Sequence, residues 1–360
     1  MHLDRALVTG LVVAALAAGL GACGEGGGNH GGDAVAAGDA LGDGGGDDVV
    51  APGTLCELPA GAAVVLPADD ARHDEPTEWL YWTGHLQAED GRWFGFQVTL
   101  LYAGAPGQGI IVGHRTLSDP ASGRFRQHVD FGVEGGEVRA DGVTQDLGGA
   151  SVATGGGRDT LRSAFEDAEL ELELVDVKGP VVRHGSGYVD YGGGVYTWYY
   201  ARPRMRATGT LRLGGETLAV AGTAWFDHQW GVLVATEGPR WDWLGAQLDD
   251  GRELMVYRLP LPGGGLVTFA ELTDADCRTT HYDGGDVAVE ETRTWEKPGT
   301  SCVYPVGWRV RAGDLVLEVD PVQDDQEVAG DPVSYWEGAA TVSGGASGRA
   351  YVELVGYCGR

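Results

Sequence analysis

The chain has 360 residues, of which 53 are acidic and 25 are basic, so its formal net charge at pH 7 is −28. This balance excludes nucleic acid as a partner, because phosphate backbones are bound by clusters of Lys and Arg. It also excludes attachment to anionic lipid by charge, and we interpret the acidity as a solubilising surface.

The first 23 residues predict an export signal of the lipoprotein type. Arg5 gives a weakly basic start, and an apolar run over residues 7–20 follows that is short for a membrane span. The run ends in LGAC, which resembles a bacterial lipobox whose cysteine, here Cys23, is acylated. Ordinary cleavage at small residues is the alternative. An acylated Cys23 predicts an exported protein anchored at the cell envelope, with the outer membrane as the expected site.

Residues 24–54 predict a flexible tether. They are rich in Gly and Asp and contain no aromatic residue, so they bury too little apolar surface to offset the entropy of ordering. The folded part is then residues 55–360, a length that suits two domains.

Four cysteines remain in the folded part, and an even number in an exported chain predicts disulfides. Three pairings are open. Cys277 and Cys302 flank a segment rich in turn residues, so we expect a local bridge between them. That bridge leaves Cys56 with Cys358, which would staple the two ends of the folded part. No Cys-x-x-Cys occurs, so the sequence indicates neither a thiol redox site nor a zinc knuckle.

Strand patterns dominate the folded part, and no long segment has helical periodicity. The aromatic run over residues 93–102 and the alternating Glu and Leu of residues 169–177 are typical of strands. Strand–turn–strand units recur around tight turns rich in Gly and Asp. These turns are Asp90-Gly91, Gly214-Gly215, Asp250-Gly251 and Gly313-Asp314.

Short strands joined by tight turns predict an all-β fold of antiparallel barrels or sandwiches. The length of the folded part suits two such domains. We place them at residues 55–205 and 206–360, because Pro203 and a cluster of basic residues interrupt the strand pattern between them.

The stretch GTAWFDHQWG, residues 222–231, places Asp227 and His228 between Trp225 and Trp230. Neighbours in a strand point to opposite faces, so Asp227 and His228 face one pocket only if the strand bulges. Burial raises the pKa of a carboxylic acid and makes it a proton donor at neutral pH, while indole faces stabilise a developing cation. The alternative is a structural hydrogen-bond network at a strand end.

A second polar and aromatic set is EPTEWLYWTGHL, residues 75–86. Glu78 and Trp82 share one strand face and His85 lies on the other. The functional interpretation places Glu78 or His85 near a ligand, and the alternative is a tight core with hydrogen-bonded indoles. Elsewhere, His128 and Asp130 share a face, but no third ligand has suitable spacing, so the sequence predicts no metal site.

Four ordered motifs are similar to those of the AttH/CrtC group of lipocalin-like proteins, which includes the carotenoid 1,2-hydratases, or hydroxyneurosporene synthases. The motifs are EWLYWTGHL, VAGTAWFDHQWG, WDWLGAQLDDGRELMVYRL and SYWEGAATVSGG, and the resemblance covers about residues 78–357. It implies two packed, lipocalin-like antiparallel β-barrel domains. For some members it also implies cofactor-free hydration of an isoprenoid C=C bond, in which an acid protonates the alkene and water adds to the resulting cation.

The resemblance also implies roles for single residues. His228 and Trp230 match the His-x-Trp of the family. The hydratases have Tyr-x-Asp on a following strand, whereas this chain has Tyr257 followed by Arg258 and Leu259, so only the Tyr is kept.

Two hypotheses follow. The first is acid–base hydration or isomerisation of an apolar, unsaturated ligand, with Asp227 as proton donor, His228 as its partner and Tyr257 as a third catalytic candidate. The second is a lipoprotein that binds or carries an apolar ligand without catalysis. The missing Asp favours the second, and the Asp-His-x-Trp sequence favours the first. We expect a monomer without cofactor or metal. The candidate ligand-binding residues are Glu78, Trp82, His85, Gln97, Trp225, Trp230 and Trp243.

Overall fold

The computed structural model describes residues 55–135, 139–192, 194–232, 240–260, 266–330 and 334–358. These residues form strands, turns and three short 3₁₀ helices, at Ala68–Asp70, Arg183–Gly185 and Gly284–Asp286. The predicted signal and tether, residues 1–54, lie outside the described residues. No helix within these ranges has the length and apolarity needed to cross a membrane.

The first sheet is antiparallel and contains the strands that precede residue 233. Its order is β4-β3-β2-β1-β12-β11-β8-β7-β6-β5, with β9 and β10 paired to β11, and β4 comes back into contact with β5. The sheet therefore curls around an interior, called here the first interior. The strands are β1 (Thr77–Ala88), β2 (Trp93–Ala103), β3 (Ile110–Asp119), β4 (Arg124–Val133), β5 (Val143–Leu147), β6 (Ala150–Thr154), β7 (Arg158–Ala164), β8 (Ala168–Asp176), β9 (Val181–Val182), β10 (Tyr188–Gly192), β11 (Val195–Leu213) and β12 (Glu216–Val232).

The second sheet is also antiparallel, and its order is β16-β15-β14-β13-β22-β21-β19-β18-β17, with β20 paired to β21. Its strands are β13 (Trp241–Leu248), β14 (Glu253–Pro260), β15 (Leu266–Thr273), β16 (Thr279–Tyr282), β17 (Val287–Glu296), β18 (Val303–Ala312), β19 (Leu315–Pro321), β20 (Glu327–Val328), β21 (Tyr335–Gly344) and β22 (Gly348–Val355). Together the sheets form a nearly closed ten-stranded barrel and a curled half-barrel. The predicted fold class, all-β with two packed antiparallel barrel-like domains, is confirmed.

The four predicted tight turns all connect neighbouring strands, namely β1 to β2, β11 to β12, β13 to β14 and β18 to β19. At Gly214 and Gly215 both φ angles are positive, 59° and 91°. A two-residue hairpin turn with two positive φ angles strongly favours glycine, because other residues are strained there. Local turn chemistry therefore sets these hairpins.

The two sheets divide the chain between Val232 and Trp241. The boundary predicted at residues 205/206 falls instead inside β11. The interruption at Pro203 is a register shift between Arg202 and Met205 in the pairing of β11 with β12. A proline at a bulge interrupts the strand pattern without ending the strand, so the sequence signal did not mark a linker.

The two sheets pack through a buried, largely aromatic layer, called here the inter-sheet layer. Because side chains alternate, residues 79, 81, 83 and 85 of β1 and residues 225 and 227 of β12 face this layer, while the even-numbered residues between them face the first interior. A Cβ atom at Gly95 would lie 2.5 Å from the Cβ of Ala339, so this glycine permits the close approach of β2 and β21. The layer contains Tyr81, Ala201, Trp225, Trp243, Met255, Tyr257, Phe269, Ala339 and Tyr351.

The disulfides are Cys56–Cys277 and Cys302–Cys358. All four cysteines pair, as expected, but the expected partners, Cys277 with Cys302 and Cys56 with Cys358, are wrong. The backbone N–H of Cys56 donates to the carbonyl oxygen of Lys178 (2.7 Å), and the Lys178 ammonium donates to the carbonyl oxygen of Asp274 (2.7 Å). These contacts bring Cys56 to the turn that holds Cys277, although the two are far apart in sequence.

We predict that a non-reducing digest yields the Cys56–Cys277 peptide pair. This bridge joins residues 221 positions apart, so a Cys56→Ser, Cys277→Ser double variant should lower the free energy of unfolding by about 2–5 kcal/mol. Mass spectrometry and urea denaturation measure the two effects, with the same digest after reduction as the control. Recovery of a Cys277–Cys302 pair from the folded protein would contradict the structure.

Candidate functional site

Side-chain alternation on β12 separates Asp227 from His228. Strands β12 and β1 pair in unbroken register, with Asp227 opposite Tyr81 and His228 opposite Leu80. Asp227 therefore faces the inter-sheet layer and His228 faces the first interior. The structure does not bring these two residues to one ligand.

A narrow cleft opens in the inter-sheet layer beside Asp227 and is called here the inter-sheet cleft. About 50 Å³ of it is open to the centre of a water molecule, so a larger ligand enters only when lining side chains move. Its wall is mostly aromatic, with two carboxyl groups, and consists of Trp79, Tyr81, Thr99, Tyr199, Asp227, Gln229, Trp241, Trp243, Tyr257 and Glu353.

Asp227 is held by aromatic donors. Its carboxyl accepts hydrogen bonds from Trp225 Nε1 (2.8 Å) and from the Tyr199 hydroxyl (2.7 Å). Burial raises the pKa of Asp227, and the nearby Arg183 guanidinium, 3.7 Å from Oδ1, offsets part of that shift. The group is therefore a buried carboxyl with a raised pKa that faces a mostly aromatic cleft.

Glu353 is the second carboxyl of the inter-sheet cleft. It is partly buried and accepts a hydrogen bond from Trp241 Nε1 (2.9 Å). Withdrawal from water raises the pKa of Glu353 to about 7. A carboxyl with a pKa near neutrality exchanges protons at physiological pH, which suits general acid or base work.

Tyr257 and Trp243 lie opposite each other on β14 and β13 and both line the inter-sheet cleft. Burial raises the pKa of Tyr257 well above its ordinary value, so its phenol is neutral. Trp243 Nε1 donates to the Tyr199 hydroxyl (3.2 Å), which in turn donates to Asp227. A Cβ atom at position 245 would lie 2.4 Å from the Trp243 ring, so Gly245 leaves the space that the indole occupies.

A third buried carboxyl, Glu337, also faces the inter-sheet layer, where the Tyr81 hydroxyl donates to it (2.6 Å). Burial raises the pKa of Glu337 well above its ordinary value.

His85, a predicted ligand contact, donates through Nε2 to the carbonyl oxygen of Ala350 (3.0 Å), and burial lowers the pKa of His85 to about 3. Gln97, also predicted, is buried and donates to Thr99.

Four predicted site residues lie in the first interior, away from the inter-sheet cleft. Glu78 accepts from His228 Nε2 (2.6 Å), Trp82 Nε1 donates to Asp159 (2.8 Å), and Trp230 lies close by. Burial opposes ionisation of Glu78, but hydrogen bonds from His228 and other neighbours lower its pKa to about 2. These residues form an ionic and aromatic cluster that is separate from the inter-sheet cleft.

A wider groove of about 470 Å³ lies on the outer surface of the first sheet, along β6, β7, β8 and β11. Residues such as Ser151, Arg162 and Glu173 line it, and its lining contains neither an aromatic side chain nor a buried titratable group. It therefore offers no chemistry comparable to that of the inter-sheet cleft.

The profile of the AttH-like family matches residues 57–357. The chain belongs to the AttH-like family.

Solved structures agree with this assignment. A candidate AttH protein from Nitrosomonas europaea is 30% identical and has a TM-score of 0.76, with 85% of this chain and 100% of that chain covered. Kievitone hydratase from Nectria haematococca is 18% identical and has a TM-score of 0.69, with 84% and 97% covered. CghA in complex with Sch210972 is 15% identical and has a TM-score of 0.50, with 86% and 98% covered. The last two show a shared fold. No protein in a curated set matches significantly.

Sequence reasoning missed several cleft residues of this AttH-like protein, above all Glu353. In GRAYVELV, Glu353 shares its strand face with Tyr351 and Val355, which are buried. A carboxyl on an otherwise apolar strand face was the sequence signal that could have identified Glu353 as a candidate site residue. Trp79 and Trp241 lay inside motifs that were recognised, but only the register of the strands shows that they line the same cleft.

We predict that Glu353→Gln stabilises the AttH-like protein in alkaline but not in acidic solution. The pKa of Glu353 rises from 4.5 to about 7 on folding, so its protonation favours the folded state below about pH 4.5. That contribution is lost as the pH rises through about 7. At about pH 8 the variant should gain about 1–3 kcal/mol in free energy of unfolding, measured by urea denaturation.

The matched control for this prediction is Glu216→Gln, an exposed carboxyl that pairs with Arg92. Because the Glu216 carboxyl is exposed, this substitution should not produce the alkaline gain in free energy of unfolding that is expected for Glu353→Gln. An equal gain for Glu353→Gln at about pH 4 and at about pH 8 would show that the side chain is not withdrawn from water.

Proposed function

We propose that this AttH-like protein catalyses cofactor-independent acid–base chemistry on an apolar, unsaturated, isoprenoid-like ligand in the inter-sheet cleft. The reaction is hydration or isomerisation of a C=C bond. The observation that carries the proposal is the pair of carboxyls with raised pKa values, Asp227 and Glu353, in one aromatic cleft. A protonated acid facing an apolar space donates a proton to an alkene without competition from bulk water.

In the proposed reaction Asp227 transfers its proton to one alkene carbon and leaves a cation on the other. The π-faces of the lining aromatic residues, such as Trp243, stabilise that cation. In hydration, water adds to the cation and its proton passes to a carboxylate. In isomerisation, the cation loses a proton from a neighbouring carbon to that carboxylate. Glu353, with its pKa of about 7, is the proposed acceptor.

The proposal changes the roles expected from the sequence. Asp227 and Tyr257 stay together at the inter-sheet cleft, with Tyr257 as a neutral phenol that positions the ligand or the water. His228 belongs to the first interior and bonds Glu78, so it has no part in the proton transfer. Kievitone hydratase, named for a hydration, shares the fold, which supports testing hydration first.

We also propose that the protein is exported and held at the cell envelope by an acylated Cys23. The N-terminal sequence supports an export signal with a lipobox. Two disulfides in the described part of the chain support an oxidising compartment. A Cys23→Ser variant expressed in a bacterium should lose incorporation of labelled fatty acid and move to the soluble fraction. Unchanged labelling would contradict the anchor.

We predict that Asp227→Asn lowers turnover of an acyclic isoprenoid by about 10²–10⁴-fold, because the proton donor is lost while the shape of the side chain is kept. Purified protein is incubated with acyclic isoprenoids, and products are followed by mass spectrometry. Hydration adds the mass of one water, and isomerisation leaves the mass unchanged but shifts the retention time.

The matched control is Asp159→Asn. Asp159 also accepts a hydrogen bond from an indole N–H, that of Trp82 (2.8 Å), and burial also raises its pKa, but it lies in the first interior. This variant should keep its activity. Product formation that survives Asp227→Asn would remove Asp227 from the mechanism. Tight ligand binding without product from any candidate would identify a carrier instead of an enzyme.

A further inference from the structure

Two imidazoles and one carboxylate converge where the segment before β1 meets the first interior. His228 Nε2 lies 2.6 Å from Glu78 Oε1, and His73 Nδ1 lies 3.1 Å from the same oxygen. All three donor atoms lie within 4.8 Å of one another. The residues come from three places in the chain: the segment before β1, β1 itself and β12.

The two carboxylate oxygens of Glu78 have different hydrogen-bond partners. Oε2 accepts from the backbone N–H of His73 (2.9 Å) and from the Arg72 guanidinium. Within the described residues, the hydrogen-bond partners of Oε1 are the two imidazole nitrogens, His73 Nδ1 and His228 Nε2. The carboxylate is thus fixed in orientation by Oε2 and presents Oε1 to the point where the imidazoles meet.

The orientation of both imidazole rings is also fixed, by contacts of their second nitrogen atoms and by a stacked indole. His73 Nε2 lies 3.4 Å from Asp69 Oδ1, and His228 Nδ1 lies 3.4 Å from the Tyr200 hydroxyl. Trp230 stacks on His73 with ring centroids 3.8 Å apart and planes 1° from parallel. Histidines that bind metals commonly donate their other N–H to a carboxylate or another oxygen, and this holds the free lone pair on the metal.

The charges around this point are out of balance. The Arg72 guanidinium pairs with both Glu78 and Glu134, whereas Asp69 pairs with the His73 imidazole. Asp70 has a separate partner in Arg202. Metal ligation requires both imidazoles to be neutral; Asp69, Glu78, Glu134 and Arg72 then carry a net charge of −2, which a divalent cation would balance.

We propose that His73, Glu78 and His228 bind one divalent first-row transition-metal ion, for which Zn²⁺ is the probe. Two imidazole nitrogens and one carboxylate oxygen are a known ligand set for Zn²⁺. Tetrahedral ligands about 2.1 Å from the metal lie about 3.4 Å apart, so the 2.6 Å contact has to open by less than about 1 Å. The His73 side chain is 17% exposed, which gives the ion a route from solvent.

Such an ion would fasten the segment before β1 to the paired strands β1 and β12. Binding to the folded state alone stabilises that state, so the melting temperature should rise with the concentration of free Zn²⁺. The site uses the even-numbered faces of β1 and β12, and the inter-sheet cleft uses the odd-numbered faces. Metal binding is therefore independent of the proposed reaction.

The test uses the full chain, stripped with a chelator and dialysed. Calorimetric titration with ZnCl₂ and elemental analysis should give one Zn²⁺ per chain, and the melting temperature should rise by several degrees. His73→Ala and Glu78→Gln should each weaken binding at least about tenfold, because each removes a ligand. His73 is partly exposed, so its variant should stay folded, which circular dichroism of the metal-free protein verifies.

The matched control is His281→Ala. His281 is a partly exposed imidazole 3.5 Å from Glu271, with the His184 ring centroid 4.9 Å from its own. Among the described residues, the ligand atoms of this group do not converge as those of His73, Glu78 and His228 do. This variant should bind Zn²⁺ as the parent does, and so should Asp227→Asn. Absence of stoichiometric Zn²⁺ binding by the parent, or binding that is unchanged in a folded His73→Ala variant, would overturn the proposal. Neither outcome bears on the chemistry of the inter-sheet cleft.

Discussion

The alternation of side chains along β1 and β12 is the constraint on which the rest of the structure depends. These two strands pair in unbroken register and lie between two environments, the first interior and the inter-sheet layer. Each step along either strand moves the side chain from one environment to the other. Asp227 and His228 are covalent neighbours, yet one faces an aromatic cleft and the other an ionic cluster.

Both environments withdraw charged groups from water, but they compensate for this differently. In the first interior, Glu78 stays ionised because Arg72 and two imidazoles surround it. In the inter-sheet layer, Asp227 and Glu353 accept hydrogen bonds from neutral indole N–H groups, and the Arg183 guanidinium, 3.7 Å from Asp227, offsets only part of the shift there. Desolvation is therefore only partly offset there, and the pKa values rise. The same withdrawal from water that raises these pKa values costs stability at alkaline pH, where the carboxyls lose their protons.

The candidate site was predictable only in part. The motifs identified four residues of the layer or its cleft, because aromatic residues beside a carboxyl are conspicuous in a strand. They are Asp227, Trp225, Trp243 and Tyr257. Glu353 was missed because it lies on β22, more than 100 residues from Asp227, and reaches the cleft only because β22 pairs with β13. His73 carried no strand or motif signal, since it lies in the segment before β1 and acquires its neighbours from tertiary contacts.

By itself the sequence determined the local features of this protein: the strands, the tight turns at Gly-containing pairs and the all-β class. Backbone propensity and turn chemistry act over a few residues, so they can be inferred from a short stretch. Only the tertiary structure decided which side of β12 meets the second sheet, where the sheets divide and which cysteines pair. Those outcomes depend on the order of strands in the sheets and on contacts such as that of Lys178 with Asp274, which no local pattern encodes.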